Sequence, residues 1–230
     1  MLFRSLQWKG RPQWRVVCGG SHQYVRALTA PLTERIHTNA PVRSIRRFSD
    51  GVDVEIAGQP AQRFDEVIIA THSDQALRLL ADPTEQERAI LGAIRYQQNE
   101  TVLHTDAALL PKKRRAWASW NYYLPAAGSS TPTVTYNMNI LQSLSSRQPF
   151  CVSLNRQDEI DERHVVQRMT YHHPIYDLRA LDAQKRRSEI SGVQRTHYCG
   201  AYWGYGFHED GARSGIEVAE AIERGVSARA

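Results

Sequence analysis

Nowhere in the 230 residues is there an apolar run close to the roughly 20 residues that a membrane helix needs, so no transmembrane segment is expected. Cysteine is scarce. Cys18, Cys151 and Cys199 are far apart, odd in number and form no Cys-x-x-Cys pair. They suggest no disulfide framework and fit a reducing compartment. The opening stretch has basic residues but no continuous apolar core before a small-residue cleavage site, which makes a poor secretory signal. A cytoplasmic protein is expected. No Gly-x-Ser-x-Gly elbow, Walker loop or triad signature occurs. His172-His173, His197 and His208-Glu209 lack the spacing of metal ligands, so no metal is expected. Internal repeats and low-complexity tracts are absent too.

What is present is ordinary for a globular chain: 41% hydrophobic and 23% charged residues, enough for one large domain or two small ones. The formal charge of +5 suits an anionic cofactor or substrate, and equally a polyanion. The basic residues are dispersed apart from Lys112-Lys113-Arg114-Arg115, which reads as a solvated loop or as a nucleic-acid or localisation patch. No nucleic-acid motif accompanies it, and no nucleic-acid partner is expected.

Trp14 to Cys18 reads as a short strand running into Gly19-Gly20 and then Ser21, an N-cap for a helix from His22 to Ala30. Strand, glycines, cap and helix in this order aim backbone N–H groups at a ligand; the plainer reading is a structural turn. Val42 to Phe48 and Val52 to Ile56 alternate around Ser49-Asp50-Gly51 as a hairpin. Phe64 to Thr71 reads as one buried strand. Helices follow around Asp74 to Leu80 and Thr84 to Ala93, the second opened by a Thr84/Glu87 capping box.

From Thr101 to Leu154 the alternation predicts antiparallel strands, among them Ala116 to Trp120, with a surface loop at Pro125–Ser130. Helices are expected at Asp161 to Arg168 and Leu178 to Arg187, with a strand at Met169 to His172. The chain closes on a strand, Thr196 to Gly200, an aromatic and glycine-rich loop, and a helix from Gly211 to Glu223.

That closing stretch, Cys199-Gly200-Ala201-Tyr202-Trp203-Gly204-Tyr205-Gly206-Phe207-His208-Glu209-Asp210-Gly211-Ala212-Arg213-Ser214-Gly215, resembles the terminal FAD motif of the flavin-containing amine oxidase family. Four further segments resemble that family in the same order: Trp14–Ser21, Phe64–His72, His104–Asp106 and Ala116–Tyr122. The resemblance is closest to bacterial NAD/FAD-binding amine-oxidase-like proteins and covers roughly residues 11 to 225. It implies an α/β, FAD/NAD(P)-binding two-domain fold with a mixed antiparallel substrate subdomain. Residues 1–80 are expected as a cofactor-domain remnant, 81–189 as the substrate subdomain and 190–230 as the return to the cofactor domain.

It also implies FAD as cofactor and hydride transfer from a small-molecule substrate to the flavin. The FAD-binding candidates are Gly19, Gly20, Ser21, Val42, Ala70, Thr71, Gly200, Ala201, Glu209, Asp210, Gly211 and Ala212. Val42 is implied as a backbone contact to adenine, or is simply a core valine. Trp120, Tyr122, Tyr202, Trp203 and Tyr205 are the candidate walls of a substrate pocket, against the plainer reading that such aromatics are core. No catalytic base is assigned.

Two departures stand out. The family's acidic residue after the terminal strand's glycine is Ala201 here. No Gly-x-Gly-x-x-Gly follows a strand anywhere in the 230 residues, so the fingerprint that seats the FAD pyrophosphate is missing. The expectation is a chain truncated at its amino end, an incomplete fragment that self-associates or joins a separate amino-terminal chain. The rival is a non-catalytic binding or accessory module on a degraded flavoprotein fold. The family reading further predicts that Phe64–Thr71 and Thr196–Gly200 share one sheet and end on the same side.

Overall fold

The computed structural model describes residues 15–124 and 133–227. In chain order the elements are α1 (His22–Thr29), β1 (Val42–Arg47), β2 (Val52–Ile56), β3 (Gln62–Phe64), β4 (Val67–Ile69), α2 (Ser73–Leu79), α3 (Glu85–Leu91) and β5 (Tyr96–His104). Then come β6 (Trp120–Tyr123), β7 (Thr133–Asn137), α4 (Met138–Leu141), β8 (Cys151–Leu154), β9 (Val165–Pro174), α5 (Leu178–Lys185), β10 (Thr196–Tyr198) and α6 (His208–Ser227). The chain divides into two compact units, 1–37 with 99–171 and 38–98 with 172–230. The mixture of helix and sheet is the α/β class expected.

In the second unit the β1–β2 hairpin forms around the expected turn and is extended by β3 into a three-stranded antiparallel sheet. A separate parallel pair joins β4 to β10, Val67 opposite Thr196 and Ile69 opposite Tyr198. Being parallel, the two strands end on the same side, as the family reading requires. One buried core serves both sheets and their helices: Ile45, Val52 and Ile69 meet Ile90, Leu91 and Ile94, with Ala180, Ile190 and Tyr198 closing it.

That core has a polar pin through it. Arg47 donates to Glu87 Oε2 at 3.0 Å and to Asp82 Oδ1 at 3.0 Å, and the Tyr198 hydroxyl donates to Glu87 Oε1 at 2.6 Å. Glu87 also completes the predicted capping box, accepting from the Thr84 N–H at 2.8 Å. Three elements therefore meet on one carboxylate.

The first unit is built on the five-stranded sheet β6-β7-β8-β5-β9, in which the pairs β6–β7, β7–β8 and β8–β5 are antiparallel. One face is covered by Val102, Leu109, Ile160 and Val165. Beneath it His104 Nε2 lies 2.9 Å from Ser153 Oγ, which lies 2.7 Å from Thr135 Oγ1. His104 Nδ1 accepts from the Asp106 N–H, so Nε2 carries the proton. Burial pushes the imidazole below its usual range. A neutral, fully enclosed histidine donating to serine is a structural hydrogen bond, not a nucleophile–base pair.

Several expectations need correction. Residues 15–17 form no strand: Val16 and Val17 are about half exposed, and no neighbouring strand pairs with them among the described residues. Ser21 stands at the helix start in αR geometry and makes no side-chain cap bond. Phe64–Thr71 is not one strand, because Asp65-Glu66 is where the chain leaves the antiparallel sheet for the parallel pair. Ala116 closes a 3-10 turn, and the strand begins at Trp120. Asp161 caps only a 3-10 turn, after which Val165 to Pro174 extend as β9 in place of a helix. The last helix begins at His208, a turn before Gly211. The Pro125–Ser130 loop and Trp14 lie outside the described residues.

Candidate functional site

The candidates fall into both units. Gly19, Gly20, Ser21, Trp120 and Tyr122 belong to the first, and Val42, Ala70, Thr71 and the whole 200–212 stretch to the second. Gly19 and Gly20 have φ of +79° and +85°, where a β-carbon is strained, and they turn the chain through Gly20 N–H to Val17 O. A side chain at Gly20 would meet nothing within 4 Å. Packing therefore leaves that position open. Trp120 and Tyr122 lie exposed on edge strand β6, Trp120 edge-on to Tyr136 with ring centres 5.9 Å apart.

Val42 begins β1 half-buried against the core, with a bulge between it and Ser44. At the shared end of the parallel pair, Ala70 and Thr71 follow β4 and Gly200 and Ala201 follow β10. The second unit thus brings four of the cofactor candidates together.

The loop beyond β10 is held by its own side chains. Gln184 of α5 donates to Tyr202 O at 2.8 Å and to Gly204 O at 2.6 Å. Ser214 Oγ accepts from Gly200 N–H at 2.9 Å. Arg187 donates to Tyr198 O and Ser214 O and lies over the Trp203 ring. Asp210 accepts from the N–H groups of Tyr205 and Phe207 at 2.9 and 3.1 Å and pairs with Arg213 at 2.6 Å.

Of these holders only Asp210 had a visible signal: an acid at the third helical position reaching back to the cap N–H is half a capping box. Its carboxylate is committed to the loop. Glu209 beside it is exposed.

Two glycines are explained by this packing. A β-carbon on Gly204 would collide with the Asp210 carboxylate, and one on Gly200 would lie 2.5 Å from the Tyr202 ring, at φ +154°. Tyr202 itself is buried in the core, Trp203 is half-buried at 4.9 Å from it, and Tyr205 is exposed, 6.4 Å from Tyr176. Gly200→Ala is accordingly expected to destabilise the unit by about 2–4 kcal/mol, strain and overpacking together. A urea midpoint within error of the wild type would show that the ring gives way instead.

Do these residues suit a flavin? Because α6 starts at His208, the Gly211 N–H is already bonded to Phe207 O, as is the Asp210 N–H. The helix's positive end is supplied by its first two residues. Gly211 rests against Ala201 with ordinary spacing, 3.8 Å for a built β-carbon, and Gly215 opens on empty space. Two strand ends, a helix start and uncrowded glycines fit the ring end of the cofactor. Nothing in the sequence offers the glycine-rich turn for its pyrophosphate. Among the described residues no group of three His, Cys, Asp or Glu is placed to hold a metal, and no helix is long and apolar enough to cross a membrane.

Comparison with solved structures gives the same picture of the fold. Cyclohexylamine oxidase from Brevibacterium oxydans IH-35A matches over 98% of this chain and 57% of its own, at 12% identity and a TM-score of 0.62. Wild-type putrescine oxidase bound to putrescine matches over 89% and 53%, at 14% identity and 0.60. The fatty acid isomerase from P. acnes that produces CLA matches over 89% and 52%, at 14% and 0.60. At such identities the likeness is one of fold, and the chain spans about half the length of the solved structures it matches. No curated protein matches the sequence. The family model for flavin containing amine oxidoreductases matches residues 2–137, from before Gly19-Gly20 through β7 and short of the terminal motif. With more than half of its length matched, the chain belongs to the flavin-containing amine oxidoreductase family.

Proposed function

We propose that the chain is part of an FAD-dependent oxidoreductase of the amine-oxidase type, in which a small-molecule substrate passes hydride to the flavin. The observation that carries this reading is the parallel pair β4–β10, with Ala70-Thr71 and Gly200-Ala201 at one end and the start of α6 packed on Ala201. FAD supplies the redox chemistry; the protein's share is placement, electrostatics and exclusion of water. In this reading the strand ends and the helix start hold the ring, Glu209 is the free carboxylate nearest it in sequence, and Val42 meets the adenine. Residues 1–80 and 190–230 serve the cofactor and 81–189 the substrate, with Trp203 and Tyr205 the aromatic candidates beside the ring site.

We further propose that the cofactor site is completed by polypeptide outside these 230 residues, a strand, glycine-rich turn and helix. The outer side of β10 is closed: the Tyr198 N–H meets Ser191 Oγ, Arg187 caps the Tyr198 carbonyl, and Thr196 is bonded back to the turn before it. β4 is different. Val67 and Ile69 bond towards β10, which turns the Ile68 backbone the other way, and the Ile68 side chain is about half exposed. An edge strand that turns backbone N–H and C=O groups outward is a template for pairing, and β4 has only β10 beside it among the described residues, so this edge is the place for another strand.

The test joins the chain to such a segment and follows flavin absorbance between 350 and 500 nm as amines are added without oxygen. Bleaching by an amine is the expected result. A completed chain that binds FAD and is reduced by no amine would favour the accessory-module reading, which the self-held terminal loop supports.

A further inference from the structure

Arg195, in the second unit, is a half-buried cation that forms no ion pair among the described residues. Its Nε donates to Ser49 O at 3.0 Å and its Nη1 to Asp65 O at 3.2 Å, tying the turn of the β1–β2 hairpin to the approach to β4. A guanidinium carries five N–H groups in one plane, so that tie leaves three unspent. The backbone is strained to hold it there. Gln194 and Arg195 are the two residues of a tight turn closed by Thr196 N–H to Val193 O, and both have positive φ, +48° and +58°. Such turns prefer Asn-Gly, because a β-carbon is strained in them.

Between the hairpin turn and this second turn lies a cleft of about 470 Å³. It sits at the starting end of the parallel pair, away from the strand ends at Ala70-Thr71 and Gly200-Ala201. Three charged side chains line it, Arg47, Asp82 and Arg195. Arg47 and Asp82 are spent on each other at 3.0 Å, and Arg47 on Glu87 as well. The acids next along the chain are engaged too, Asp50 with Arg63 and Glu66 with His197. Asp65 is exposed and meets Arg195 through its carbonyl alone. Arg195 is therefore the one lining charge without a counterion among the described residues. Beside it, the Ser49 hydroxyl and the Gln194 amide make no hydrogen bond among the described residues. The Phe48 ring, 42% exposed and stacked under Arg63 at 4.7 Å, gives the cleft an apolar wall.

We propose that this cleft binds a small monocarboxylate with an apolar body, the carboxylate on the unspent N–H groups of Arg195 and the body against Phe48. A carboxylate matches the planar guanidinium fork, and a charge-assisted pair is the strong form of hydrogen bond. Phosphate suits the place less. One unpaired cation does not balance a dianion, and the Asp82 carboxylate lines the same wall.

The experiment is a titration of the 15N-labelled 230-residue chain with sodium benzoate, read by amide NMR shifts, with sodium chloride and inorganic phosphate as parallel arms. Benzoate should give saturable shifts centred on Ser49, Gly192, Gln194 and Arg195, and chloride should not. Removing Arg195 would also cut its ties to Ser49 and Asp65, so the deciding variant is Gln194→Glu. That change is isosteric and exposed, and it sets a carboxylate beside Arg195 in the cleft. It should weaken benzoate by roughly tenfold or more while signals remote from the cleft stay in place. The proposal fails if benzoate shifts do not saturate, if chloride reproduces them, if Gln194→Glu binds as the wild type does, or if phosphate binds more tightly than benzoate.

Discussion

On its own, the 230-residue chain is expected to hold FAD a hundredfold or more weaker than the same chain joined to a strand, glycine-rich turn and helix. In the proposed site the flavin ring would rest on two strand ends and the start of α6. The pyrophosphate has no glycine-rich turn in the sequence to receive it. Each hydrogen bond to a charged group contributes about 1.5–3 kcal/mol, so two lost contacts cost about 3–6 kcal/mol. At about 1.4 kcal/mol per tenfold that is roughly two to four decades in Kd. Titration of each form with FAD, followed by flavin fluorescence, measures the ratio. Equal affinities would mean that other groups of the 230-residue chain hold the phosphate and that the added turn is superfluous.

Glu87→Ala is expected to be the most damaging single change in the second unit, at about 3–5 kcal/mol. Its loss leaves Arg47 buried without its closest partner, the Tyr198 hydroxyl without an acceptor and Thr84 without half of its box. Glu87→Gln, which keeps the shape and one acceptor, should cost less. Chemical denaturation of both variants, read by Trp fluorescence, tests the ranking; equal midpoints would sink it.

The same carboxylate sets an acid limit. Burial alone would raise the Glu87 pKa, but hydrogen bonds from Arg47, Tyr198 and the Thr84 backbone, with the Arg47 charge, outweigh it and hold the group below its ordinary value. A depressed carboxyl stabilises fully above its unfolded pKa, about 4.3, and the contribution fades as pH falls towards the folded value. Wild-type stability should therefore drop below about pH 4, and that part of the drop should be absent in Glu87→Gln.

Elements whose signals are local were legible. The β1–β2 hairpin carried its alternation and its Ser49-Asp50-Gly51 turn, and α3 carried its capping box. What failed was length and partnership. Asp161 does cap a turn, accepting from the Arg163 N–H, yet a cap says nothing about how far a helix continues, and Val165-Val166 and Thr170 go to a strand. The run from Phe64 to Thr71 is apolar enough for one strand, but it serves two sheets, a choice made by partners remote in sequence. Glu87 showed only its box. Its other contacts, Arg47 and Tyr198, lie 40 and 111 residues away and leave no periodic trace.

At the site, the pairing of the two strand ends followed from the family resemblance. The bonds by which Gln184 and Ser214 hold the loop did not, because each joins a side chain to a loop carbonyl or N–H that sequence does not display; only the half capping box of Asp210 left a trace.

The closure of the parallel pair also bears on synthesis. Glu66 at the head of β4 and His197 in β10 meet at 2.7 Å across 131 residues of chain. At ribosomal rates of about 5–20 residues per second, β4 waits on the order of ten seconds for its partner to be made. Residues 99–171 are made within that interval, whereas the inner side of Val67–Ile69 lacks its β10 partner until Thr196–Tyr198 has been added. A nascent chain paused in that window is the form most in need of a chaperone.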